Sequence, residues 1–360
     1  MYYAPYDTAC VPKTWNISDD LGQIEYIFSD KTGTLTQNIM EFQKCSVNGV
    51  AYGEGITEAQ RGALQRQGKG DTIDPAEQSR QLAALKDDMI QRMNKGFKNR
   101  YICPDKLTLI SPALADHLTD HSSEQRGQLI AFFRALAICH SVLPDRRDPQ
   151  NPYRVDYKAE SPDEAALVAA ARDVGFPFVQ RSSSLIDIEV MGQVERYTPL
   201  KVLEFNSTRK RMSVIVRNPE GKLVLYCKGA DSVVYARLSK HQDPELKAAT
   251  LKNMEDFANG GLRTLCIAYK YLNDEEYLEW VRTFDAASSA TQDREEEMEK
   301  ANELIEQDLF ILGATALEDK LQEGVPEAIE TLHKAGIKLW ILTGQYLSCD
   351  PSQRWLDIYV

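Results

Sequence analysis

Apolar and polar positions divide the chain into three blocks. In the first, Ile24-Glu25-Tyr26-Ile27-Phe28 is a dense, β-prone apolar run that stops at Ser29-Asp30. A run of this kind ending in Asp-Lys-Thr-Gly predicts a buried strand followed by a turn. In α/β sheets functional groups gather at the carboxyl ends of strands, which is where Asp30 falls. The middle block opens with a polar stretch, 53–100, rich in Gln, Lys and Gly, which reads as an insertion with a helix near 76–93. Helices are predicted at 128–139 and 162–174, then strands at 201–205, 212–216 and 223–227. Asn218-Pro219-Glu220-Gly221 supplies hairpin chemistry between the last two strands. Residues 282–307 read as one charged helix, with Glu295-Glu296-Glu297 on a solvated face.

The third block returns to an α/β rhythm: a strand at 309–314, an amphipathic helix at 322–335 with Pro326 in its first turns, and a strand at 337–342 ending at Thr343-Gly344. A strand–Asp unit and a strand–helix–strand unit thus flank a large middle block. That is the pattern of a parallel-sheet domain interrupted by an inserted one. The expected divisions are 1–45, 46–308, 309–344 and a tail at 345–360.

At 360 residues the chain is too long for one ordinary core, and 43% hydrophobic with 27% charged residues is the composition of a globular protein. A formal net charge of −12 argues against nucleic acid or an anionic membrane surface as the main partner. An acidic protein that handles an anion needs local basic groups and usually a metal ion. The seven cysteines are scattered, odd in number and lack any Cys-x-x-Cys, so they read as reduced, packed thiols. Met1-Tyr2-Tyr3-Ala4-Pro5 has neither a basic n-region nor an apolar h-region, and no stretch approaches bilayer length. The chain as given is expected to be soluble and cytosolic.

Six runs carry candidate chemistry. In Asp30-Lys31-Thr32-Gly33-Thr34-Leu35-Thr36, a strand-end carboxylate can attack phosphorus to give an acyl phosphate. The glycine and small hydroxyl residues after it can offer backbone N–H groups to phosphate oxygens. In Glu160-Ser161-Pro162-Asp163-Glu164, Ser161 reads as an N-cap, Pro162 as the first helical position and Glu164 as the far half of a capping box. Phe205-Asn206-Ser207-Thr208-Arg209-Lys210-Arg211-Met212-Ser213 joins two strands. On its own Phe205 reads as a core aromatic, and the three basic residues as a solvated loop. In Cys227-Lys228-Gly229-Ala230-Asp231, Gly229 lets the backbone approach a ligand. Gly260-Gly261-Leu262-Arg263 sets Arg263 after a Gly pair, and Thr343-Gly344 closes the last strand. Glu318 and Asp319 read as hinge and helix start rather than a metal site. His117 and His121 share a helical face at metal-ligand spacing, but with no third ligand they read as surface residues.

Taken together these runs resemble the P-type ATPases, and 30–36 resembles their signature. The text around it, 17–29 and Gln37-Asn38, with the runs 161–167 and 205–213, resembles the lipid-transporting branch, the phospholipid flippases, rather than the cation pumps. The resemblance covers nearly everything from Tyr2 to Gly344. It implies an α/β fold: part of a haloacid-dehalogenase-like phosphorylation domain with a Rossmann-like parallel sheet, interrupted by a large α+β nucleotide-binding domain with an antiparallel sheet. It also implies that 1–16 is a stalk remnant and that 345–360 lies outside the family pattern.

For the site, the resemblance implies that Asp30 is the phosphorylated nucleophile and that Lys31, Thr32, Thr343 and Gly344 meet the phosphate. Asp30 and the Thr32 carbonyl would hold Mg²⁺. Glu164 would face the adenosine, Phe205 stack on adenine, Lys228 meet the polyphosphate as a point charge and Arg263 fork two phosphate oxygens. Thr32 stands where aspartate phosphatases carry a second acid, which implies a long-lived phosphoaspartate and disfavours a soluble phosphatase. ATP, a phospholipid and an accessory membrane subunit are the implied partners of a full-length pump at the plasma membrane or in the Golgi and endosomal system.

After Thr343-Gly344 the family continues with an aspartate and a helix, whereas Gln345-Tyr346-Leu347-Ser348 stands here. The family's later lysine and Gly-Asp-Gly acids, its actuator loop and its membrane helices are not in the 360 residues. Phosphoryl transfer depends on fixed positive charge and metal. The 360 residues alone are therefore expected to bind ATP and to turn it over poorly. The competing reading is a catalytically incomplete nucleotide-binding fragment or regulatory module.

Overall fold

The computed structural model describes residues 2–3, 6–9, 11, 18–66, 75–146, 150–343 and 357–359. The chain divides into two compact units, one of residues 1–39 with 320–360 and one of residues 40–319.

The larger unit is built on a nine-stranded sheet. Its order runs Val50–Tyr52, Thr36–Val47, Phe310–Leu321, Arg263–Leu272, Leu223–Gly229, Arg211–Arg217, Gln193–Leu203, Ile186–Val190 and Phe178–Arg181. From Phe310–Leu321 to Phe178–Arg181 every neighbouring pair is antiparallel. The central strands are buried on both faces, which explains their nearly unbroken apolar sequence. Met212, Val214, Val216, Val224 and Tyr226 point into a core shared with Leu129, Phe132, Phe133, Leu167 and Val168 from helices Glu124–Ile138 and Pro162–Val174. Their alternating neighbours Ile215, Leu225 and Cys227 meet Met254, Trp280 and Ile305 from the helices on the other face. A period of two with both faces covered leaves no position for solvent-facing polar residues. Truncating one of these buried aromatics, such as Phe133→Ala, costs about 3–5 kcal/mol because the close-packed neighbours cannot collapse into the gap.

The helix near 76–93 spans Pro75–Gly96, and the hairpin turn is closed by Asn218, whose carbonyl and side chain accept the N–H groups of Gly221 and Lys222. Helix Pro162–Val174 has the bounds the sequence predicts. The single charged helix expected over 282–307 is two helices, Asp274–Ser288 and Arg294–Ile305, separated where Asp293 takes φ 51°. Glu295, Glu296 and Glu297 are exposed, but Ala301, Asn302 and Ile305 in the last turns of the same helix are buried. Glu306 just beyond it is fully buried. His117 is hydrogen-bonded through Nδ1 to the Tyr52 hydroxyl at 2.8 Å.

In the smaller unit, strand Tyr26–Asp30 pairs in parallel with Lys338–Thr343, which also pairs antiparallel with Asp357–Tyr359. Helix Val325–Lys334 leads into Lys338–Thr343. The buried strand expected at 24–28 is instead half-buried and exposed, with one strand neighbour, Lys338–Thr343, among the described residues. Phe28 finds the Trp340 ring at 6.1 Å between centroids. The rest of the expected tail, 345–356 and 360, lies outside the described residues.

Candidate functional site

The proposed nucleophile sits where the strand pattern places it. Asp30 is level with Leu342 in the parallel pair, so Asp30 and Thr343 occupy the carboxyl ends of adjacent strands. The Asp30 side chain is exposed and accepts the Lys31 N–H at 2.8 Å. The chain then turns through Lys31–Leu35, with Thr32 extended at ψ 120° and Gly33 at φ 79°. That left-handed conformation is costly for a residue with a Cβ, which accounts for the glycine. Buried Thr36 anchors the turn, its hydroxyl accepting the Gly33 N–H at 3.2 Å and donating to the Lys31 carbonyl at 3.5 Å. One exposed carboxylate and one backbone carbonyl are hard oxygen donors that suit Mg²⁺ keeping most of its water and sharing substrate phosphates. Among the described residues no group of three or more His, Cys, Asp and Glu offers an all-protein cage. Gly344 lies outside the described residues, as does the side chain of Thr343.

The other candidates gather at one end of the large sheet. Register brings them there: Arg211 pairs with Gly229, and Gly229 with Cys266, so the turn bearing Phe205, the end of the Lys228 strand and the start of the Arg263 strand are neighbours. The N-terminus of helix Pro162–Val174 meets the same end through two ion pairs. Glu164 Oε1 accepts from Lys228 Nζ at 2.5 Å, and Asp163 Oδ1 lies 3.3 Å from Arg263 Nη1. Glu164 Oε2 also accepts the Ser141 hydroxyl at 2.8 Å.

The capping box expected at Ser161 and Glu164 does not form. Ser161 has the N-cap backbone and Pro162 the first helical position, but no side-chain cap bond is made. The Glu164 carboxylate is drawn instead to a buried ammonium, a charge-assisted bond worth more than a neutral one. Phe205 is no core aromatic; it is 61% exposed. Gly229 is required by crowding within the protein: a Cβ there would stand 2.6 Å from the Arg211 Cβ and 2.8 Å from the Lys210 carbonyl oxygen. Nor is 209–211 a solvated loop, since Arg209 and Arg211 are buried.

Burial alone would raise the Glu164 carboxyl, but Lys228, by charge and hydrogen bond, together with Ser141 holds it below the usual carboxylate range. Asp163 is pushed up by burial and by Asp319, against the pull of Arg263. His140, buried behind Lys228, is brought down to about 3 by burial and by the charges of Lys228 and Arg181. It accepts the Val142 N–H on Nδ1 and bonds the Ala137 carbonyl through Nε2, which fits the neutral ring. The end of the sheet thus holds a paired lysine and a half-exposed arginine beside an exposed aromatic, groups able to receive a polyanion carrying a flat ring. Ser141 and Asp163 escaped the sequence reading. Asp163 lies within a quoted motif, while Ser141 follows a helix with no signal of its own.

A family model described as "P-type ATPase, cytoplasmic domain N" matches residues 128–324, and the chain belongs to the P-type ATPases. Among relatives, it is 49% identical over 345 residues to the phospholipid-transporting ATPase dnf2 of Schizosaccharomyces pombe, covering 96% of this chain and 24% of that protein. It is 47% identical over 354 residues to the phospholipid-transporting ATPase DNF2 of Saccharomyces cerevisiae, covering 96% and 22%. It is 44% identical over 344 residues to the human phospholipid-transporting ATPase IC, covering 96% and 25%. The chain thus spans about a quarter of the length of these relatives. Among the described residues no helix is long and apolar enough to cross a membrane.

Proposed function

We propose that the chain is the ATP-binding and aspartyl-phosphorylation region of an ATP-driven phospholipid transporter. The observation that carries this reading is the constellation of Glu164, Lys228, Asp163 and Arg263 beside the exposed ring of Phe205. Phe205 stacks on adenine. Lys228, released from or shared with Glu164, and Arg263, shared with Asp163, receive the phosphates. Because both cations already have carboxylate partners, the empty pocket is close to neutral and the acidic chain still offers a polyphosphate two positive groups.

An Asp30 carboxylate oxygen attacks the γ-phosphorus, and the bond from that phosphorus to the bridging oxygen breaks. ADP leaves with the electron pair, and Asp30 becomes an acyl phosphate. Lys31, Thr32, Thr343 and Gly344 hold the phosphoryl oxygens, and Thr32, lacking a carboxylate, leaves the intermediate without a local acid to hasten its hydrolysis. Mg²⁺ held by Asp30 and the Thr32 carbonyl would offset charge on the transferred phosphoryl group. The relatives named as phospholipid-transporting support a lipid cargo; an accessory membrane subunit and a plasma-membrane, Golgi or endosomal location belong to the same proposal for the full-length protein.

The test is to label the full-length protein with γ-labelled ATP and Mg²⁺. Hydroxylamine-sensitive label that is lost in Asp30→Asn, and whose turnover phospholipid speeds, is expected. Label that persists in Asp30→Asn would refute the proposed nucleophile. The 360 residues alone are expected to bind ATP while accumulating little of this label.

A further inference from the structure

Three guanidinium groups and two carboxylates form a network at the base of the turn that carries Phe205. Glu306, fully buried, accepts Arg209 Nη2 and Arg211 Nε at 2.6 Å each and the Ser213 hydroxyl at 2.5 Å. Glu303 accepts Arg211 Nη2 at 2.8 Å and Arg237 Nη2. Arg209 links this network to the exposed turn. Its Nη1 donates to the carbonyl of Glu204, the residue before Phe205, at 2.7 Å. Its backbone N–H donates to Asn206 Oδ1 at 2.6 Å, and the Lys210 N–H to the Asn206 carbonyl at 2.9 Å. Lys210 takes φ 50°, and its carbonyl accepts the Ala230 N–H at 3.0 Å. The turn is therefore pinned on both sides of Phe205, while the ring itself stands in solvent.

A buried carboxylate receiving two arginines is a costly arrangement for stability alone, because an apolar replacement of similar volume often does as well. Its effect here is geometric. A guanidinium has a planar fork that can bond Glu306 and the Glu204 carbonyl at once, which fixes where the backbone enters the turn.

We infer that Glu306, acting through Arg209, is a positioning residue that presents Phe205 to the base of the nucleotide. This rests on the proposed pocket. A preorganised ring gives up less freedom on stacking than a mobile one, so the clamp raises affinity for the base and leaves the hold on the phosphates unchanged.

The test compares ATP with inorganic tripolyphosphate by calorimetry on the 360-residue chain. Glu306→Gln removes the carboxylate charge. Arg209→Lys keeps the charge balance of the buried network and loses the simultaneous hydrogen bonds to Glu306 and the Glu204 carbonyl, so it serves should Glu306→Gln fail to fold. Each is expected to weaken ATP about tenfold, leave tripolyphosphate unchanged, and add nothing further in a Phe205→Ala background. Equal losses for ATP and tripolyphosphate, full additivity with Phe205→Ala, or a lowered Tm with unchanged ATP affinity would each overturn the inference. If Phe205→Ala itself leaves ATP affinity intact, the pocket reading fails and takes the inference with it. If Phe205→Ala weakens ATP while the clamp variants do not, the inference fails alone.

Discussion

Residues 40–319 and the unit that carries Asp30 hold their polar groups in contrasting ways. In the first, the central strands are buried on both faces, and Lys228, Arg209, Arg211 and Glu306 are charged groups sunk among them with partners at hydrogen-bond distance. In the second, strand Tyr26–Asp30 and helix Val325–Lys334 contain no fully buried residue, and Asp30 stands exposed on a turn anchored chiefly by Thr36. Recognition of a large, flexible nucleotide asks for fixed charges and a fixed ring, which a doubly covered sheet supplies. The smaller unit instead leaves the proposed nucleophile, Asp30, exposed at a strand end.

The contrast can be broken at its strongest point first. Lys228→Met deprives the pocket of its buried cation and leaves Glu164 unpaired, so ATP affinity measured by calorimetry is expected to fall about 100-fold, about 3 kcal/mol. Unchanged affinity would mean the Glu164–Lys228 pair is structural. Phe205→Ala removes a stacking face worth about 1–3 kcal/mol per base, and a loss of about tenfold is expected for ATP.

A further expected effect, read on stability rather than on binding, is a pH dependence. His140 stays neutral in the folded state down to about 3, while in the unfolded chain it titrates at about 6.5. Between those values the unfolded state binds more protons, so stability is full above about 6.5 and falls as pH drops towards 3. His140→Asn is expected to flatten that part of a urea-midpoint profile; an unchanged slope would assign the acid sensitivity to other groups.

Much of this was legible in the sequence. The apolar run ending at Asp30, the Pro162 helix start and the Asn218–Gly221 turn are local patterns, and the structure keeps their backbone because propensity and turn chemistry act locally, although the run before Asp30 is exposed and half-buried rather than buried. Glu164 misled as a capping residue because its partner, Lys228, lies 64 positions away and no local rule sees an ion pair of that span. Arg209 and Arg211 read as a solvated loop for the same reason: Glu306 lies 97 and 95 residues on. The 282–307 segment read as one helix because its charge pattern is continuous. The left-handed Asp293 that breaks it has no strong sequence mark.

The most direct measurement is ATP affinity by calorimetry across four forms of the 360-residue chain: unaltered, Asp30→Asn, Phe205→Ala and Lys228→Met. The account expects Asp30→Asn to bind like the unaltered chain while the other two lose about tenfold and about 100-fold. Binding abolished by Asp30→Asn and untouched by Phe205→Ala and Lys228→Met would contradict it.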